Sequence, residues 1–345
     1  MLANKVQAAA QVVSGGGGTT YVAVSFDVSP FIKVYPWSSA TGFGTAFANP
    51  ASLPNNGQDV VFRPQGDAIF TTLNSGMTGW QWSAAGFGTR YTDVATLTNY
   101  SIACHPSGNA VAYTSPDFPR VVACPFSTAT GFGTQYANPS PVVASAGSDA
   151  RFHPSGNAIA ITDNGFGSVS PWFQIYAWSN ASGFGTKYAA PATGLSHKSD
   201  SCAFAPSGDA IAFQSQGSPW VHAYPFSTST GIGTKFSNPA VIPSSASRVN
   251  FNPASNVLIA GGDRVHAWAW SAGGFGTKFA DPAVPAVDSY YRLGFAPDGS
   301  AIVAGAQNSP RVHAWAWSAG GFGAKYSNPG VLPTGAVKGV SFVTV

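Results

Sequence analysis

At 345 residues the chain has room for two average domains or one large all-β domain, and composition favours the second. It holds 40 Gly and 26 Pro but only eight Leu and no Glu, so helices are scarce. Charged residues are 8% and apolar residues 44%, which allows a large core and opposes disorder. The net charge of +3 comes from Lys and Arg scattered without a basic run, so nucleic acid is not expected as a partner. No apolar stretch approaches the roughly 18 residues of a spanning helix, and membrane insertion is not expected either.

The chain opens with "MLANKVQAAAQVV", too short and polar for a convincing secretory signal. Leu2, Val6, Ala9 and Val13 fall roughly on one helical face, and "SGGGG" then detaches them. Residues 1–18 are therefore expected to form a flexible arm with an apolar tip that docks on a neighbouring subunit. From residue 19 onward a Gly-Phe-Gly element returns at Gly42, Gly86, Gly131, Gly183, Gly231 (as "GIGT"), Gly274 and Gly321 (as "GFGA"). The seven copies are 43 to 52 residues apart, a period that belongs to a four-stranded unit.

One unit reads from "SCAFAPSGDAIAFQSQGSPWVHAYPFSTSTGIGTKFSNP" as a strand ending in Phe-x-Pro, a Pro-Ser-Gly-Asp turn, a second strand, an "SP" turn and an aromatic third strand. Gly-Phe-Gly then forms a hairpin into a fourth strand. Its Phe pins the hairpin to the blade, and a phosphate-binding loop is disfavoured because no helix follows. Seven such units predict a seven-bladed β-propeller, residues 19–345. The first copy, "YVAVSFDVSPFIKVYPWS", lacks an initial strand, while the last ends in an unpaired one, "VKGVSFVTV". Val340 to Val345 is thus expected to close the ring by pairing with the strand near Tyr21.

"FAPDG" at Phe295 to Gly299, followed by a short strand and "VHAWAW", resembles the core of WD-repeat propellers. Ser38, Ser83, Ser179, Ser271 and Ser318 stand where that family has Asp, and no Gly-His pair precedes the first strand. The unit as a whole is similar to propellers of tailed-bacteriophage virions. That resemblance implies a non-enzymatic capsid-decoration or tail-associated protein, located in the virion and bound to other virion proteins through the arm residues Leu2, Val6 and Val13. The alternatives are a carbohydrate-binding propeller for host attachment, with a host surface glycan as ligand, and a cellular interaction scaffold.

Candidate sites follow from where the copies differ. Second-to-third and fourth-to-first connections vary most, and they carry Phe31, Phe118, Arg120, Trp172, Phe173, Trp220 and Arg311, with Tyr290 and Tyr291 nearby. These residue types suit a partner- or glycan-binding face, or they tuck back onto the third strand. Arg63, His105 and His153 end three consecutive first strands and form a candidate anion site at the channel mouth. His222, His266 and His313 recur on third strands too far apart to share a metal, and a cofactor is not expected. Arg90, Lys187, Lys235, Lys278 and Lys325 recur on fourth strands, where cations guard sheet edges or grip a polyanion. Cys104, Cys124 and Cys202 read as buried thiols. No carboxylate pair or Gly-x-Ser-x-Gly elbow is evident, so no enzyme is expected.

Overall fold

The computed structural model describes residues 18–94, 97–165, 171–283 and 289–345. It holds seven four-stranded antiparallel sheets in a ring. Blade 1 joins Thr20–Phe26, Ile32–Ser38 and Gly42–Phe43 to the C-terminal strand Val337–Thr344. Blades 2 to 7 follow in chain order, with inner strands Val60–Phe62, Ile102–Cys104, Gly147–Phe152, Cys202–Phe204, Arg248–Phe251 and Tyr290–Phe295. The expected closure is present and starts three residues earlier than the sequence suggested, since Val337 already pairs with Phe26 and the register runs on to Thr20 opposite Thr344.

Both faces of each blade are apolar because each packs against a neighbour. Seven buried clusters result, one per interface, and the cluster between blades 5 and 6 joins Ala212 and Ala223 to Val249, Leu258 and Trp268. The Gly-Phe-Gly hairpin serves two of these interfaces. Its Phe meets an aromatic ring of its own third strand edge-on, as in Trp82 with Phe87 and Trp178 with Phe184, at centroid distances of 5.1 and 5.2 Å. Its first Gly has positive φ in all seven copies, from 76° to 102°. A Cβ there would also lie 2.7–3.2 Å from an aromatic side chain on the preceding blade, such as Tyr136 against Gly183. Where that side chain is Tyr136 or Tyr326, its hydroxyl donates to the hairpin backbone, at Asn180 O (2.7 Å) and Ser39 O (2.6 Å).

The serines that replace the Asp of the WD pattern close the same hairpin. Ser38, Ser83, Ser179, Ser271 and Ser318 each accept a bond at 3.2 Å from the backbone N–H two residues on. Fourth strands differ in length for a covalent reason. They have five residues in blades 2, 4, 6 and 7, but two in blades 1, 3 and 5, where the third strand contains Pro36, Pro125 or Pro225. Proline has no N–H to give the neighbouring ladder, so the regular ladder ends after the hairpin and only single bonds follow, such as Gly44 N–H to Pro36 O and Phe47 N–H to Val34 O.

Blade-to-blade polar contacts use the residue just after the inner strand. Arg63 Nε donates to Gly108 O (3.0 Å), and His105 and His153 place Nε2 against Gly156 O and Gly208 O at 2.9 and 2.8 Å. Each acceptor belongs to the Pro-x-Gly turn of the next blade. Burial pushes both imidazoles below their ordinary pKa, opposed by those backbone bonds. His222, with neither ring nitrogen hydrogen-bonded, is driven down to about 4 by burial first and then by Lys235 and His197.

Two outcomes follow. The unfolded chain binds protons on these histidines that the folded one refuses, so stability falls as pH drops from about 6.5 toward 4. His222 alone accounts for up to about 3 kcal/mol of this. Urea midpoints measured between pH 4 and 7 should decline on the acid side, and His222→Leu should flatten the decline. Gly183→Ala should cost about 1–3 kcal/mol, through the left-handed backbone and the clash with Tyr136, in the same assay.

Candidate functional site

Inner strands surround a channel of about 1540 Å³. At the end bearing the Pro-x-Gly turns its wall includes Pro64, Pro106, Pro154, Pro206, Pro253 and Pro297, one from each of six blades. At the other end, nearer the variable connections, polar side chains cross it. They come from one column, the position three residues before the one that ends each inner strand in Phe or Cys. Around the ring that column reads Asp59, Ser101, Asp149, Ser201, Arg248, Arg292 and Gly339.

Arg292 of blade 7 reaches across the axis. It pairs with Asp59 of blade 2 and Asp149 of blade 4, at 2.5 and 3.3 Å, and one Nη also meets Ser101 Oγ of blade 3 at 3.0 Å. Ser101 Oγ lies 2.9 Å from Asp59 Oδ2 and 2.6 Å from Asp149 Oδ1. Backbone N–H groups of Ile102 and Cys202 donate to the same two carboxylates. Asp59, Ser101, Asp149 and Arg292 are at most 4% exposed. The channel is therefore a cup, open on the turn face and floored by an ion network.

Arg151, two positions further along its strand, stands above this floor with a 30% exposed side chain, 3.1 Å from Asp149. Arg248 lines the cup half-buried. Burial by itself would raise the Asp149 carboxyl, but Arg151, Arg292 and Arg248 outweigh it and hold it at about 2. Burial lowers Arg292 to about 10, against the pull of both carboxylates. Both carboxylates accept from several donors and orient guanidinium groups, and Asp149 is poorly placed to take a proton. Cys104, also on the wall, has its thiol raised by burial to about 12 and supplies no thiolate. Among the described residues no three His, Cys, Asp or Glu side chains are grouped to hold a metal ion.

The structure gathers Arg63, His105 and His153 on consecutive blades at the open end, but engages each with the next blade's turn and with its own, where Arg63 pairs with Asp67 and the two Nδ1 atoms meet Ser107 and Ser155; the two imidazoles are 5% and 6% exposed. On the variable face, Phe31, Arg120, Trp172, Trp220 and Arg311 share a left-handed backbone, φ 66° to 76°, each just after a proline. All five are half-buried. Trp172 and Trp220 lean on interface clusters, and Arg311 donates to Pro333 O at 3.0 Å. Phe173 stacks on Phe213 at 4.0 Å, Tyr290 is buried, and Tyr291 lies under Lys338 Nζ at 3.8 Å. Phe118 alone of the nine is exposed, at 62%. The fourth-strand cations act locally: Arg90, Lys235, Lys278 and Lys325 each bond to the Asp or Asn three residues on. The arm residues Leu2, Val6 and Val13 lie outside the described residues.

The floor was missed because its members are scattered along the chain and differ in sign. The repeat alignment contained the signal: a single column holding two Asp, two Ser and two Arg among apolar neighbours.

No family model matches the chain, and no curated protein matches it in sequence. Solved structures do match in fold. A Bacteroides uniformis protein provisionally assigned as a 6-phosphogluconolactonase superposes with a TM-score of 0.74 at 14% identity, covering 94% of this chain and 100% of that one. The periplasmic gluconolactonase of Pseudomonas aeruginosa gives 0.74 at 14%, covering 94% and 99%. The Cps50 (Swd1) β-propeller domain of Myceliophteria thermophila gives 0.59 at 12%, covering 79% and 87%. At these identities the likeness shows the propeller fold alone. The expectation of a non-enzymatic phage virion component is nonetheless corrected, because two of these three propellers carry lactonase names and none is named as a virion protein. The expectation that the chain is no enzyme is corrected on the same finding.

The ion network itself is testable. Arg292→Met leaves Asp59 and Asp149 buried without their shared cation and should cost about 3–5 kcal/mol in urea unfolding. Adding Asp59→Asn and Asp149→Asn to Arg292→Met should recover much of that loss.

Proposed function

We propose that this chain is a lactonase-type hydrolase that opens a small cyclic ester inside the cup. The observation that carries the reading is the partly exposed Arg151 guanidinium, fixed by Asp149 above a closed, ionised floor. The lactonase names of similarly folded propellers support it.

A lactone holds its ester in the strained cis geometry and is attacked by water more readily than an open ester. Catalysis then needs orientation and stabilisation of the negative charge that develops on the carbonyl oxygen. Water adds to the carbonyl carbon, the ring C–O bond breaks, and a proton from the attacking water passes to the departing ring oxygen. The product is a hydroxy acid, which ionises. Arg151 is the group placed to donate to the oxyanion. Asp149 acts through Arg151, as a positioning residue.

A pH-stat assay with δ-gluconolactone and its 6-phospho form tests this. Acid release above the spontaneous rate is expected for at least one of them. Arg151→Gln should lower kcat about 100-fold while the fold persists. Rates equal to buffer for both lactones would sink the reading.

A further inference from the structure

The cup floor is not electrically balanced. Arg151 and Arg292 share Asp149, and Arg292 also takes Asp59. Arg248 is left over, with no carboxylate oxygen within 4.0 Å among the described residues. Three guanidinium groups against two carboxylates leave a net charge of +1 at the closed end. Asp200 does not neutralise it: it gives Arg248 its backbone carbonyl, at 2.6 Å, while its carboxylate accepts from Asn164 and Gln216. Ser247 O takes a second bond from the same Nη, at 3.1 Å. Two backbone carbonyls thus hold the side chain in place without cancelling its charge. An uncompensated, half-buried cation beside two others works against stability, and Arg248 contributes to the lowering of Arg292.

We infer that Arg248 is an anion subsite, and that the cup holds a small organic acid or ester with a carboxylate or phosphate group against its guanidinium. A planar donor fork suits either oxyanion. This deepens the lactonase reading by setting the charge of the ligand, and it rests on that reading only for the ligand's sugar-like body. If a hydroxy acid is the product, its new carboxylate is itself such an anion.

Binding is measured on the full chain without turnover, by calorimetry and by thermal shift. Gluconate, inorganic phosphate and uncharged glucitol serve as probes. At least one of the two anions is expected to bind and raise the melting temperature, and glucitol is not. Gluconate alone would assign the subsite to a carboxylate, phosphate alone to a phosphoryl group. Arg248→Gln should weaken the anion at least tenfold in a protein that still unfolds cooperatively, whatever the loss of its bonds to Asp200 O and Ser247 O does to the melting temperature. Arg248→Lys should retain part of the affinity. Should neither variant fold, protection of Arg248 from phenylglyoxal by the anion, read by mass spectrometry of the wild type, takes their place. Failure of both anions to bind, undiminished binding by Arg248→Gln, or absence of protection would overturn the inference. Anion binding without lactone turnover would overturn only the lactonase reading.

Discussion

Each blade meets the next through an aromatic ring seated on a glycine that has no room for a side chain. The contact recurs at every interface, from Tyr326 on Gly42 to Phe279 on Gly321, and it fixes how far apart neighbouring sheets can stand. Close packing of flat apolar faces follows from that spacing, because the interface clusters are built from Ala and Val opposite Trp and Phe, and a shift of one carbon would open a void or force a clash. The ring can hold a cup at its axis because these outer contacts set its diameter.

Within the cup, electrostatics replaces packing. A guanidinium from blade 7 meets carboxylates from blades 2 and 4, so one side chain ties together sheets that share no ladder. Burial makes this arrangement costly unless every lone pair is used, and the structure uses Ser101 and two backbone N–H groups to complete the set. The completed network closes one end of the channel and leaves the other open. It also explains why Asp149 is a poor proton acceptor: what stabilises it as an anion is what removes it from acid–base work.

Much of the architecture was legible in the sequence because it is repetitive. Gly-Phe-Gly or a close variant marks each hairpin, Pro-x-Gly the turn in five of the seven blades, and the unmatched strands at the two ends of the ring imply closure. The floor was not legible by motif. Asp59 and Arg292 are separated by most of the chain and meet only because the ring brings their blades round, and no local pattern encodes a contact of that range. The aromatic and Arg residues of the variable connections were open to two readings, a contact surface or side chains tucked back. Trp172 and Trp220, left-handed after their prolines, lean on interface clusters, while Phe118 stays exposed. The resemblance to WD-repeat propellers held for the fold, while the likeness to phage virion propellers misled on function.

The prolines that shorten three fourth strands act beyond their own blades. A propeller presents seven outer strands to solvent, each a row of unsatisfied amide groups on which another sheet could grow. In blades 1, 3 and 5 the regular ladder behind that row is only two residues long, and each of these blades lies next to at least one with a longer strand. The circumference is therefore uneven, and a foreign strand that finds purchase on one blade finds little to continue onto at the next. Pro36, Pro125 and Pro225 let a chain with few charges keep its rim from becoming a template.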